Sequence, residues 1–335
     1  MSLLGAVAGA AAGSSAFAFR PRAVLTVAGQ RLTSAEAALV RLEVKLSAAG
    51  SHDAAQIMLW HDSKLVSPSV GDSMSIAMGD DGSEVDVWAG EVSAIQARAD
   101  GVVIDGLAAT IAFSKKRTSQ SYLSQSVADI VNDLAGSSPV DEVEGDTQLE
   151  AYAVDERRSV WSHFIDLAAL VGADLGASPA GGLRFVAPKT GAASATLRHG
   201  AELLAWRIGA SAAPDASTVA AYGAASESGS DKWHWLLNTP SAAGSGAGPL
   251  RVVAALRTRD AAEVMARALS DRAARRALRG RLVITGNPNL RPGDLVETKD
   301  LPSGNPGTLR VLAVEHVLDA RAGFYSTLSV EGASS

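Results

Sequence analysis

The stretch LVRLEVKL at residues 39–46 alternates apolar and charged side chains and decides the fold class. Its aliphatic residues fall on one side of an extended chain and its charged residues on the other, because successive side chains of a strand point to opposite faces. It therefore predicts an antiparallel strand with one face in a core and one in water. Similar short segments follow, separated by turn signals, at residues 56–60, 73–78, 85–95 and 101–107. Residues 20–112 are thus predicted to form a small antiparallel β-barrel or sandwich.

The apolar period changes from two to 3.6 beyond this region, which predicts helices. Ser126 and Ser159 are placed to cap two of them, and Gly136 and Gly172 are placed to end them. Short strands lie between and after these helices. Residues 113–192 are therefore predicted to form a small α+β insertion domain.

A second β region follows at residues 193–335. It contains a long Gly/Ser-rich loop at 226–249 and a predicted helix at 260–278, with Asp260 and Glu263 as a cap pair and Gly280 just past the end. Further strands are predicted at residues 281–285, 295–298, 308–318 and 325–331.

The two β regions share an order of turn and strand signals. Gly71-Asp72 precedes a strand in the first region, and Gly293-Asp294 precedes one in the second. Either an internal duplication or the common requirements of small barrels account for this order. The predicted fold class is α+β, mainly β, with two tube-like antiparallel β-barrel domains and a small α+β insertion domain between them.

The composition excludes several classes of protein. The 335 residues include 30 basic and 36 acidic side chains, and the net charge of −6 argues against a large nucleic-acid-binding surface. Cysteine is absent, which excludes disulfides, thiolate nucleophiles and cysteine-ligated metals. Residues 1–19 carry no charge, and the first basic residue follows the weakly apolar stretch, so a secretory signal is incomplete. We interpret them as a flexible Ala/Gly-rich arm and predict no membrane span.

No catalytic, cofactor-binding or metal-binding residue is predicted. The six histidines are scattered, and neither a nucleophile elbow nor a Gly-Lys phosphate loop occurs. Asp80, Asp81, Glu84 and Asp86 could hold calcium, but Asp81-Gly82 is also a strong hairpin-turn signal, and we favour the turn.

Two groups of residues are candidate partner contacts. Nine arginines lie between residues 251 and 281, among them Arg272, Arg275 and Arg276. A solvated helix face or an acidic neighbour explains this concentration, with nucleic acid or an anionic cargo as the alternative. The second group is Trp233-His234-Trp235, whose large rings stand in a polar loop and indicate packing on the protein's own barrel or on a partner.

The C-terminal motifs resemble a known family. The residues that carry the resemblance are Gly286-Asn287-Pro288, Pro292-Gly293-Asp294, Val314-Glu315-His316 and Gly323-Phe324-Tyr325-Ser326-Thr327. They are similar to the phage late control protein D family of tail (baseplate) hubs, which includes the hubs of type VI secretion spikes and extracellular contractile injection systems. The Gly71-Asp72 series and the two helices of the insertion are also similar, so the resemblance spans about residues 20–332.

The resemblance implies a structural, non-enzymatic homotrimer that joins a hexameric inner tube to a trimeric spike. Its expected partners are the inner tube protein, a separate spike protein, other baseplate components and a cargo or tape-measure protein. It would assemble in the cytoplasm and become part of a phage tail or tail-like injection particle. The alternatives are a β-rich cell-wall or glycan-binding module and, behind it, a hydrolase. A binding module would be a monomer, and a hydrolase would show turnover.

Overall fold

A computed structural model describes residues 20–212, 217–220, 242–244, 247–302, 304 and 306–333. The arm at residues 1–19 and the Trp233-His234-Trp235 motif lie outside the described residues. The described chain is mainly β, as predicted.

Seven strands and a short helix form the first β region. They are β1 (Pro21–Val27), β2 (Gln30–Thr33), β3 (Leu39–Ser47), β4 (Ala54–Trp60), β5 (Ser73–Asp80), β6 (Val85–Arg98), β7 (Gly101–Ala108) and α1 (Ile111–Lys115). The insertion follows with β8 (Gln120–Ser126), α2 (Val127–Ala135), β9 (Val140–Val143), β10 (Gln148–Val154), α3 (Val160–Val171), β11 (Asp174–Ala177) and β12 (Leu183–Val186).

The remaining elements belong to the second β region. They are β13 (Ala195–Arg198), β14 (Leu203–Ala210), β15 (Ser217–Ala220), β16 (Ala242–Ala243), β17 (Gly248–Val252), α4 (Arg259–Arg276), β18 (Leu278–Thr285), β19 (Leu295–Lys299), β20 (Thr308–Asp319) and β21 (Gly323–Gly332). No helix in the part of the chain that the structure describes is long and apolar enough to cross a membrane.

Both β regions join in one curled sheet. Among the described residues it has 13 strands, with the path β14-β18-β21-β20-β3-β4-β7-β6-β5-β1-β2 and with β19 and β13 attached beside β20. One hydrophobic core includes residues of both regions, from Ala23 to Val330. The predicted arrangement of two tube-like β-barrel domains is therefore not confirmed, because strand β3 of the first region pairs directly with strand β20 of the second.

The β3–β20 pairing follows from the alternation in residues 39–46. Leu42 and Val44 are fully buried, and Leu42 lies opposite Leu318. On the outer face Arg41 pairs with Asp319 at 3.4 Å. Burial alone would raise the pKa of Glu43, but hydrogen bonds from Lys45 and Arg41 outweigh it and lower the pKa to about 2. An apolar inner face and a charged outer face therefore fix the register of this junction.

The repeat seen in the sequence is present in the backbone hydrogen bonds. Gly71 N–H donates to the Val92 carbonyl at 2.8 Å, and Val92 N–H donates to Asp72 at 2.9 Å. In the second region Gly293 N–H donates to the Val311 carbonyl at 2.7 Å, and Val311 N–H donates to Asp294 at 2.8 Å. The Gly-Asp pair therefore holds the start of an equivalent three-stranded meander in each region, β5-β6-β7 and β19-β20-β21.

Irregularities in the strand register occur at matching places. The register shifts between Val92 and Ala94 in β6, and likewise between Val311 and Ala313 in β20. It also shifts between Leu39 and Arg41 in β3 and between Leu203 and Ala205 in β14. The run β3-β4-β7-β6-β5 thus corresponds strand for strand to β14-β18-β21-β20-β19.

The insertion has its own core, which helix α4 helps to build. Small sheets β10-β8 and β11-β12-β9 surround helices α2 and α3, which are capped by Ser126 and Ser159 as predicted. Phe164 of α3 is fully buried in this core together with Ala262 and Met265 of α4. Helix α4 therefore covers the insertion while its end leads into the large sheet.

The ends of α4 differ from the sequence prediction. Thr258 is the N-cap residue, and its hydroxyl accepts a hydrogen bond from Ala261 N–H at 3.3 Å. Gly280 lies inside β18 rather than past the helix end. A Cβ at this position would lie 2.7 Å from the Arg207 carbonyl of β14, so the glycine allows close approach of two strands rather than stopping a helix.

Close packing also explains Gly106 in β7. A Cβ at Gly106 would lie 2.2 Å from Met74 Cε and 2.6 Å from the ring of Trp88. Both of those side chains are buried in the core of the large sheet. The large Trp88 ring therefore occupies space that a side chain at residue 106 would need.

We expect Gly106→Ala to destabilise the protein by about 1–3 kcal/mol, because Met74 and Trp88 must move in a close-packed core. Urea unfolding measures the change. Gly209→Ala is the matched control, since a Cβ on this strand glycine meets nothing within 4 Å. Equal destabilisation by the two variants would contradict the packing argument.

Candidate functional site: an arginine-rich cleft

A cleft of about 460 Å³ opens where the insertion meets the large sheet. It lies between helices α3 and α4, the start of β11 and the paired strands β20 and β21. Its cationic side chains come from α4, β18 and β20, and we call it the arginine cleft, defined by Arg272, Arg275, Arg276, Arg279 and Arg310.

Helix geometry brings three of these arginines together. Arg272, Arg275 and Arg276 are three and four residues apart, so they share one face of the last turns of α4. Arg279 follows at the start of β18. The structure thus places the sequence-predicted group Arg272, Arg275 and Arg276 in one cleft.

A buried ion-pair network forms the floor of the cleft. Arg310 Nη1 donates to Glu331 Oε1 at 2.7 Å, and Arg310 Nη2 donates to Asp174. Arg275 Nε donates to the same Glu331 oxygen at 3.1 Å. These four residues are at most 7% exposed. Two guanidinium groups face two carboxylates, so the network is formally neutral.

The other three arginines give the cleft an excess of positive charge over Asp174 and Glu331. Within the described part of the chain, Arg272, Arg276 and Arg279 form no ion pair. Burial lowers the pKa of Arg272, and repulsion from Arg276 and Arg275 lowers it further. An anion bound here would relieve that repulsion, so the positive charge of the cleft favours the binding of an anion.

Part of the cleft lining is apolar. It comes from α3 and the residues that follow β3, and it includes Ile165, Ala169 and Gly172. Ile165 is 42% exposed although it is a large aliphatic side chain. The cleft therefore offers both charge and an apolar contact surface to a ligand.

Asp174 separates the arginine cleft from a second cleft of about 320 Å³. There Asp53 accepts a hydrogen bond from Ser47 N–H at 2.8 Å. Its carboxyl group is almost completely buried, and this burial raises its pKa to about 8. The guanidinium of Arg291, which also lines the cleft, opposes that rise.

The acidic residues considered for calcium have other partners. Asp81 and Glu84 both pair with Arg22, and Ser83 N–H donates to the Asp80 carbonyl at 2.9 Å in the hairpin turn. Among the described residues, no group of three or more histidine or acidic side chains could hold a metal ion.

Sequence reasoning missed the floor of the arginine cleft. Asp174, Arg310 and Glu331 are distant in sequence and meet only through the fold. The available signal is an arginine flanked by aliphatic residues, as with Arg310 between Leu309 and Val311 in the strand Thr308–Asp319. The other predicted contact, Trp233-His234-Trp235, lies outside the described residues and stays a prediction.

No family model matches the chain, and no curated protein matches its sequence. Solved structures do share its fold. A tail protein from Neisseria meningitidis MC58 is 14% identical with a TM-score of 0.71, covering 94% of this chain and 97% of that one. The 43 kDa tail protein of prophage MuSo2 from Shewanella oneidensis is 13% identical with a TM-score of 0.69, covering 92% and 98%.

A third similar structure comes from a secretion system. The E. coli c3393 protein, a component of the type VI secretion system with structural similarity to T4 bacteriophage tail proteins gp27 and gp5, is 11% identical. Its TM-score is 0.59, covering 88% of this chain and 74% of that one. The chain therefore has the fold of phage tail proteins, and the resemblance to the tail hub family is confirmed at the level of the fold.

We expect Glu331→Gln to destabilise the protein by about 3–5 kcal/mol, because two buried guanidinium groups lose their shared carboxylate. Chemical denaturation measures the loss. Glu297→Gln is a control, since Glu297 pairs with Lys299 at a more exposed position and should change stability by less than about 1 kcal/mol. A near-neutral Glu331→Gln would show that the network contributes little.

Asp53 should make stability depend on pH. Its folded-state pKa of about 8 lies above the unfolded value of about 3.9. Its contribution to the free energy of unfolding is therefore present in full below about pH 4 and lost as the pH rises through about 8. Asp53→Asn keeps an oxygen for Ser47 N–H and removes the titration. The stability of wild type relative to Asp53→Asn should fall between about pH 5 and pH 9, and a constant or rising difference would contradict the assignment.

Proposed function

We propose that the chain is a structural, non-enzymatic hub that assembles as a homotrimer and joins a hexameric inner tube to a trimeric spike in a phage tail or tail-like injection particle. The observation that carries this proposal is the internal repeat. One junction between the two repeats is made inside the chain, by β3 and β20, and among the described residues the equivalent junction is left open.

The open junction consists of two strand edges. Strand β14 corresponds to β3, and the described residues pair it with β18 alone. Strand β6 corresponds to β20. Its residues 94–98 pair with β7 on one side, and its pairing with β5 on the other side ends at Glu91. Unpaired edges of this kind are templates for pairing with another chain.

The hydrogen-bond pattern shows which groups of β14 are available. Ser211 N–H donates to the Ala277 carbonyl at 2.8 Å in the ladder with β18. Bonding direction alternates along an antiparallel strand, so the backbone groups of residues 206, 208 and 210 point away from β18. They form the row that a neighbouring strand would need.

Pairing β14 of one chain with β6 of the next would repeat the β3–β20 junction between molecules. A head-to-tail contact of this type forms a ring when the rotation closes. Three chains would then present six similar units, which match a sixfold tube on one side and a threefold spike on the other. In such a ring each half of the curled sheet would serve as one of the two barrel-like units predicted from the sequence.

The shared fold with tail proteins supports this role. The expected partners are the inner tube protein, a separate spike protein, other baseplate components and a cargo or tape-measure protein. Assembly would take place in the cytoplasm before the hub enters the particle. The segment around Trp233, His234 and Trp235 remains a candidate contact with one of these partners.

A disulfide trap tests the junction, because the chain contains no cysteine. Counting from the matching register shifts, Gln96 corresponds to Glu315 and Gly209 to Lys45, which face each other across β20 and β3. Gln96→Cys combined with Gly209→Cys should give closed, disulfide-linked trimers under mild oxidation. Non-reducing electrophoresis and light scattering detect them as three times the 34.3 kDa chain mass.

The control combines Gln96→Cys with Ala205→Cys. Ala205 is also exposed on β14 but lies about 13 Å further along the strand, so its thiol cannot reach Gln96→Cys in the expected register. A chain that stays monomeric, or equal cross-linking in both pairs, would rule out this assembly.

A further inference from the structure

We propose that the arginine cleft binds a segment of a partner protein that carries several carboxylates and at least one aliphatic side chain. The proposal rests on the hub function only in that an assembled particle supplies the partner. The site itself is built within one chain and requires no second copy.

The charge of the cleft indicates that its ligand is negatively charged. Arg275 and Arg310 are neutralised by Glu331 and Asp174, which leaves Arg272, Arg276 and Arg279 as an excess of three positive charges. The whole chain has a net charge of −6, so the cleft is positively charged although the protein as a whole is negatively charged. Guanidinium groups bind carboxylates through paired hydrogen bonds. The three arginines that form no ion pair with a described residue line the same cleft, two on the last turns of α4 and one at the start of β18.

The buried network gives the site a defined shape. Arg310 is 3% exposed and Asp174 is 4% exposed. Each also has a buried polar atom that finds no hydrogen-bond partner among the described residues, Arg310 Nε and Asp174 Oδ2. Buried ion pairs hold the floor in place, and the three other arginines remain available for recognition.

The apolar wall favours a peptide over a nucleic acid. Ile165 and Ala169 line the same cleft as the arginines, and their aliphatic side chains offer no hydrogen bond to a phosphate backbone. Nucleic-acid binding uses an extended basic track, whereas this cationic group is short and stands on an acidic protein. An acidic peptide with an aliphatic side chain can contact the arginines and the apolar residues of the cleft at the same time.

Fluorescence anisotropy of the full chain tests the proposal with three labelled probes. They are a peptide of about twelve residues that alternates Glu and Leu, the same peptide with Gln in place of Glu, and a single-stranded DNA of about twelve nucleotides. The cleft variant is Arg272→Gln/Arg276→Gln/Arg279→Gln. The matched control is Arg31→Gln/Arg198→Gln/Arg321→Gln, which removes the same charge from exposed positions elsewhere.

We expect the Glu/Leu peptide to bind wild type and the control alike, and the cleft variant about tenfold or more weakly. The Gln/Leu peptide should bind weakly to all three proteins. Raising the salt from about 50 to 300 mM should weaken the Glu/Leu complex. Ile165→Ser should weaken it too, and should have less effect on a Glu/Ser peptide.

Several results would overturn the proposal. They are no binding of the Glu/Leu peptide by wild type, equal losses in the cleft and control variants, or tighter binding of the DNA than of the peptide. The last result would assign the cleft to nucleic acid. Light scattering on the same samples reports the oligomeric state separately, so loss of peptide binding in an intact trimer is distinguishable from failure to form the trimer.

Discussion

The antiparallel pairing of β3 with β20 is the constraint on which the rest of the structure depends. It joins residues 41–47 to residues 313–319 and thereby makes one sheet from two regions that are separated by the whole insertion. Its inner face supplies Leu42 and Val44 to the common core, and its outer face carries opposite charges in contact. A slip of one residue would place the charges in the core, so both faces select the same register.

The same junction positions the arginine cleft. Strands β20 and β21 carry Arg310 and Glu331, and the insertion between the two β regions delivers Asp174 on β11. Helix α4 then bridges the insertion core and the large sheet, which brings Arg275 onto Glu331. The cleft is thus a consequence of how the two regions enclose the insertion, and its chemistry is assembled from three distant parts of the chain.

Local signals made the strands and helices predictable. The alternation in residues 39–46, the capping serines Ser126 and Ser159, and the Gly-Asp turns each act within a few residues, and the structure contains them. The joining of the two β regions was not predictable, because strand pairing depends on partners hundreds of residues away. Gly280 has the local pattern of a helix stop, because the neighbouring strand that requires a glycine there is distant in the sequence. The arginines of α4 were visible as a group, but their buried acidic partners were not.

The matched register shifts have a consequence for the shape of the sheet. An extra residue in a strand bends it and increases its twist at that point. The shifts at Leu39/Arg41 and Leu203/Ala205, and at Val92/Ala94 and Val311/Ala313, therefore bend the two halves in the same manner. Deleting one extra residue would flatten one half alone, and the two halves would then differ in curvature although nearly all of their side chains were unchanged.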